Sequence, residues 1–317
     1  MDVIKPTRLR KGDLISIISP ASAPLDASKV HHGVKYFESL GYRVTISKNV
    51  FNVRGYLAGT DEERAEDLNQ AFADKNVKAI ICSRGGYGTP RILDKIDYGT
   101  IKQNPKIFVG YSDITALQLA ILKKTGLVTF SGPMMAVEFG VEVGKKIDPF
   151  TEEKFFDVVT SHKNVGVVKS HRDYRLSFQG KKKSKGRLLG GNLSMITSIL
   201  GSEYAPDFSN SILLLEEVSE EPYSIDRMLT QLRLAGVLQN ISGLALGQFT
   251  NCAPEEPDKP YRTLEQIFKE DLFSQGKAAV ANIPYGHLPV KMTLPIGVLV
   301  SIDPVKKKFS IDEPAVI

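Results

Sequence analysis

A serine that acts as a nucleophile needs an exposed position, a base and donors for the oxyanion. "GYSD", Gly110 to Asp113, offers this chain's first candidate. Ser112 follows the apolar run KIFVG and opens the apolar helical pattern ITALQLAIL. A serine at that corner has two readings. One is a helix N-cap, its oxygen accepting a backbone N–H. The other is a nucleophile raised on a tight strand-to-helix turn, where the helix N-terminus supplies N–H groups and positive potential. Gly-x-Ser matches half of the Gly-x-Ser-x-Gly elbow. Ile114 stands where the second glycine would be, so the α/β-hydrolase signature is incomplete.

"RGGYG", residues 84–88, follows the apolar run KAIIC. Glycines after a strand are either a plain tight turn or a way to bring backbone N–H groups against a ligand. The stretch lacks the Lys-Ser/Thr of a phosphate-binding loop and does not fit Gly-x-Gly-x-x-Gly. Loops that leave the same edge of a parallel sheet would make it an oxyanion donor beside Ser112.

The base must come from five histidines. His31 and His32 lie on an amphipathic helical stretch, where exposure is expected. His162 and His171 lie in a polar middle region. His287 stands in "NIPYGHLPV", a Pro/Gly-framed loop after an expected strand, and fixed loops on rigid scaffolds hold catalytic groups. The base needs an orienting acceptor. The run SILLLE ends in Glu216-Glu217, with Glu220 and Glu221 beyond. Most of such a cluster is solvated, but a carboxylate ending an apolar strand is placed to be partly buried. That leaves Glu216 or Glu217.

The elements that must position these residues alternate. Strands are expected at 14–19, 42–47, 78–82, 106–110 and 127–130, and helices at 27–40, 61–73, 89–96 and 113–124. Gly41 stops the first helix and Thr60 with Glu63 makes a capping box for the second. Apolar strands alternating with helices imply a parallel sheet covered on both faces. Residues 140–185 are more polar, and the basic run "GKKKSKG" (180–186) reads as a solvated linker. Strands at 211–216, GLALGQF and AAVANIP, helices at 224–235 and 262–274, and two short terminal strands follow. The expected fold class is α/β, with a Rossmann-like N-terminal domain (1–160) and a smaller mixed α/β C-terminal domain (161–317).

Composition narrows the function classes. The 317 residues carry a net charge of +5, too diffuse to imply nucleic acid. Cys82 and Cys252 are too far apart in sequence for a metal-binding spacing, and no ligand set for a metal stands out. Few cysteines point to the cytoplasm. "LISIISPASA" after basic residues mimics a secretory leader, but it is short and interrupted by Ser16 and Ser19, so a buried first strand is expected. No run approaches the length of a membrane span.

Several of these stretches together resemble one family. "AIICSRGGYGTPRILDKIDY", "PKIFVGYSDITALQLAI", "LLLEEVSEEPYSIDRML" and "IPYGHLPVKMTLPIG" are similar to the serine LD-carboxypeptidases, as are "GYLAGTDEERAEDL" and "GGNLS". Microcin C immunity proteins are related members. The resemblance covers nearly the whole chain and implies a Ser–Glu–His triad of Ser112, Glu216 and His287, with Glu217 as the fallback. It implies oxyanion donors in the backbone N–H groups of Gly86 and Asp113, and places Asn192 near the substrate pocket. The chain departs from the family pattern at Ser131, where histidine is expected. The implied activity is removal of terminal D-alanine from an L-centre residue, lysine or meso-diaminopimelate, of murein tetrapeptides during peptidoglycan recycling. The implied substrate is thus a small muropeptide, with no cofactor, and the assembly a homodimer with the site between domains. Three alternatives remain: hydrolysis of aminoacyl-nucleotide or peptide conjugates, muropeptide binding without turnover, and a generic α/β-hydrolase esterase. The acidic loop "TNCAPEEPDKPYR", with Tyr261 as its one aromatic, leans against nucleobase stacking.

Overall fold

The computed structural model of the chain describes residues 2–142 and 145–317. The stretch that mimics a leader is a strand, β1 (Leu14–Ile18), with Ile15, Ile17 and Ile18 fully buried. Helix α1 (Ala27–Ser39) follows, capped by the Asp26 carboxylate, which accepts from the Ser28 N–H at 2.8 Å. Gly41, at φ +89°, ends it and leads into β2 (Arg43–Ile46). The Thr60–Glu63 capping box opens α2 (Asp61–Ala73), which returns the chain to β3 (Val77–Cys82). A 3₁₀ turn at Thr89–Lys95 and α3 (Tyr98–Gln103) connect β3 to β4 (Ile107–Gly110), buried along its whole length. Then come α4 (Thr115–Thr125) and β5 (Thr129–Ser131). These five strands are parallel, and the chain order reverses between β1 and β3. A crevice outside the carboxyl ends of such strands is where α/β sheets bind ligands. The loops after β1, β3 and β4 all open there.

Helix α5 (Pro149–Val159) forms inside the polar middle region, where no element was expected. Its signals are local: Asp148 caps it, and Pro149 takes the first turn, where a missing N–H costs nothing. The second sheet is built from β6 (Gly166–Val167), β7 (Ser177–Gln179), β8 (Ser184–Asn192), β9 (Ile212–Val218), β10 (Gly243–Thr250) and β11 (Ala278–Ala281). Two later strands complete it, as described below. Between them run α6 (Leu193–Ile199), α7 (Pro222–Leu234), α8 (Val237–Asn240) and α9 (Leu264–Asp271). The basic run 180–186 is only partly the linker expected of it. From Ser184 it is the start of β8, where Ser184 and Lys185 pair with a neighbouring strand. Lys181 to Lys183 lie exposed before the strand and Lys185 at its exposed start, while the remainder, RLLGGN, is largely buried.

The chain then crosses back. β12 (Leu294–Ile296) pairs antiparallel with β5 and becomes the sixth strand of the first sheet. β13 (Leu299–Asp303) and β14 (Lys308–Ile311) join the second sheet beside β8, giving it eight strands of mixed direction. The terminal region thus holds three short strands, one more than expected, and ties the two sheets together. Among the described residues, no helix is long and apolar enough to cross a membrane.

Candidate active site

The corner serine is a bent one. Tyr111 leaves β4 extended, and Ser112 then takes φ +65°. A non-glycine residue in that region holds backbone strain of about 1–3 kcal/mol and persists only where its surroundings fix it. The turn continues as one 3₁₀ turn, Ser112–Ile114, and α4 starts with Ile114 in the cap position. The Ser112 hydroxyl therefore does not cap α4. Instead its Oγ lies 2.9 Å from Nε2 of His287. His287 Nδ1 lies 2.9 Å from Oε2 of Glu216. A carboxylate only accepts, so Nδ1 donates to it and Nε2 keeps its lone pair for the serine proton.

Strand alternation separates the two glutamates. Side chains of neighbouring β9 residues point to opposite faces. Glu216 turns to His287 and is fully buried, with Gly286 pressed against it. A Cβ on Gly286, at φ +117°, would lie 2.8 Å from Glu216 Oε2, so the residue before the histidine has to be glycine. Among the described residues, no donor reaches Glu216 Oε1. Glu217 turns the other way. It accepts from Asn192 Nδ2 at 2.8 Å, from the Ser194 N–H at 2.8 Å and from Ser194 Oγ at 2.7 Å. Burial pushes its carboxyl pKa up, against the pull of those donors. Asn192 stands level with Glu216 on β8, and its Oδ1 caps α6 through the Met195 N–H. Its amide is committed to Glu217, and it is not among the residues lining the cleft at Ser112.

The glycine loop is pinned beside the elbow. The Asp113 carboxylate accepts from the N–H groups of Gly88 (3.2 Å) and Thr89 (2.9 Å). Burial raises its pKa although these donors oppose the rise. Gly85 packs on Ser112 so closely that a Cβ there would lie 2.9 Å from Ser112 Cβ. Gly86 follows at φ +118°, and among the described residues its N–H meets no protein acceptor. A cavity of about 330 Å³ opens here, lined by Ser112, His287, Gly85, Gly86, Arg84 and Tyr111 among others.

The other four histidines are elsewhere. His31 stacks on Phe51, His162 meets Arg8, His171 packs on Phe150, and His32 lies on α1. Three supporting groups were not legible as such. Tyr111 meets the His287 ring edge to face at 5.1 Å. Lys291, fully buried, lies 3.2 Å from Glu138 and donates to the Gly286 carbonyl. Ser131, where the family pattern has histidine, is buried and hydrogen-bonds Tyr285 Oη at 2.6 Å. It braces the loop that carries His287 from behind. The one available signal was "IPYGHLPVK" itself, which places Tyr285, His287 and Lys291 in one short loop.

Fold and site together define a cleft between two α/β sheets with a serine, a histidine and a buried carboxylate in line. Two family models match this chain: the LD-carboxypeptidase N-terminal domain over residues 15–132 and the LD-carboxypeptidase C-terminal domain over 185–302. The chain belongs to the LD-carboxypeptidase family. It is 38% identical to a probable murein peptide carboxypeptidase of Bacillus subtilis (strain 168), over 97% of this chain and 94% of the relative. Among solved structures, the muramoyltetrapeptide carboxypeptidase from Oxalobacter formigenes superposes with a TM-score of 0.80 at 31% identity, covering 95% of this chain and 99% of that one. The microcin C7 self-immunity protein MccF, in complex with aspartyl sulfamoyl adenosine, gives 0.89 at 28% identity, covering 99% and 100%.

Proposed function

We propose that this protein is a serine LD-carboxypeptidase that releases terminal D-alanine from murein tetrapeptides. The observation that carries the reading is the unbroken hydrogen-bonded line from Ser112 through His287 to the buried Glu216. Ser112 Oγ attacks the carbonyl carbon of the amide between the L-centre and D-alanine, and its proton passes to His287 Nε2. The imidazolium is stabilised by the buried Glu216 carboxyl group, whose Oε1 meets no donor among the described residues. Backbone N–H groups of Gly86 and Asp113 receive the tetrahedral oxyanion, each worth about 3 kcal/mol in comparable sites. As the C–N bond breaks, Nε2 returns the proton to the leaving amine. Water, deprotonated by His287, then frees the acyl group from Ser112. A cytoplasmic homodimer working in peptidoglycan recycling belongs to the same proposal.

The test is D-alanine release from L-lysine and meso-diaminopimelate tetrapeptides by the wild type and Ser112→Ala. The wild type releases it, and the variant falls by at least about 10⁴-fold. No release from either peptide overturns the reading. The likeness to MccF favours a second reading, hydrolysis of aminoacyl-nucleotide conjugates, so an aspartyl sulfamoyl adenosine arm belongs in the same assay. Turnover of that conjugate alone would establish the second reading.

A further inference from the structure

We infer that Arg84 is the subsite for the terminal carboxylate of the substrate, which makes the enzyme an exopeptidase; the inference rests on the peptidase reading above. In a peptide cut before its last residue, the carboxylate carbon is three bonds beyond the scissile carbon. A group that neutralises it must lie in the same cavity as the nucleophile. Two cations line that cavity, Arg84 and Lys29, along with one carboxylate, Asp26.

Arg84 is the better placed. It directly precedes Gly85, the residue packed against Ser112. It is half-buried, and among the described residues its guanidinium has no carboxylate within ion-pair distance and no hydrogen-bond acceptor. A planar fork of donors left unfilled beside a nucleophile matches a carboxylate in shape and charge. Lys29 is exposed on the first turn of α1, one turn from Asp26, whose charge would repel a carboxylate there. Arg84 also belongs to the loop that Asp113 pins through Gly88 and Thr89, so carboxylate and oxyanion would be held by one rigid segment.

The test compares a tetrapeptide bearing a free terminal carboxylate with the same peptide as its C-terminal amide. The wild type is expected to prefer the acid by about 100-fold in kcat/KM, since a site built for a charged partner rejects the analogue lacking it. Arg84→Met is expected to lose that preference by slowing the acid alone, its rate on the amide serving as the folding control. Arg84→Lys is expected to restore part of the preference. Equal losses on both substrates would overturn the inference and make Arg84 a support for the glycine loop. So would a preference kept by Arg84→Met, or one lost in Lys29→Met instead. Failure of the wild type to release D-alanine or D-alaninamide, with Ser112→Ala no different, would be failure of the peptidase reading itself and of this inference with it.

Discussion

Two adjacent residues of one type have different duties here. Glu216 and Glu217 are both buried, yet only Glu216 meets His287, while Glu217 gathers three donors from Asn192 and Ser194. Glu216→Gln puts an amide where the acceptor must be and favours the wrong imidazole tautomer. The expected loss in kcat is about 10⁴-fold, with little change in stability. Glu217→Gln is expected to leave kcat nearly intact and to lower stability by about 1–3 kcal/mol, because it disrupts a buried charge-assisted network. Steady-state kinetics and chemical denaturation of the two variants check both halves. Legibility at this scale was split. Ser112 and His287 stood out by residue type and by their Gly/Pro settings. Which glutamate faces the histidine depends on strand phase, and both readings placed an acid at the end of the same apolar run.

At the scale of the element, Ser112 and His287 sit on turns and loops that buried polar groups hold in place. The elbow is strained at Ser112 and fixed by its packing on Gly85 and by the Asp113 bridge to the glycine loop. The histidine loop is held by Lys291, which lies 3.6 Å from the Tyr111 ring centroid and pairs with Glu138. Glu138 in turn accepts from Tyr111 Oη at 3.0 Å and the Met134 N–H at 2.9 Å. One buried ion pair thus joins the elbow, the cleft wall and the histidine loop. Lys291→Met leaves the Glu138 charge buried without its partner, and the expected destabilisation is about 3–5 kcal/mol. Adding Glu138→Gln removes the uncompensated charge and should recover part of that loss. Thermal or denaturant unfolding of the single and double variants measures it, and a double variant no more stable than the single would refute the account. None of this was visible in the chain, since Tyr111, Glu138 and Lys291 are far apart in sequence and each reads as an ordinary residue.

At the scale of the molecule, the site lies between two sheets, with Ser112 after β4 of the first and Glu216 on β9 of the second. The other end of β4 offers a test of stability remote from chemistry. Lys106, buried beside β4 and donating to the Asp74 carbonyl, has its pKa pushed down to about 8 by burial. Between pH 8 and the ordinary lysine value, the unfolded chain binds the proton that the folded chain has shed. This group's contribution to stability therefore rises with pH across that window and is lost as pH falls through about 8. Denaturation at pH 8 and pH 10 should show Lys106→Met lacking that rise, with activity at pH 8 unchanged. By itself, the sequence determined the alternation of strands and helices in the first sheet, the capping of α1 and α2, and the corner that carries Ser112. These rest on local periodicity, caps and turn residues, which neighbouring positions encode. Tertiary structure alone decided that the run after Gly180 enters a sheet and that β12 crosses back to β5. It also decided that Glu216 rather than Glu217 meets His287 and that Asn192 serves Glu217. Those outcomes depend on strand register and on contacts between residues far apart in the chain, which no local pattern encodes.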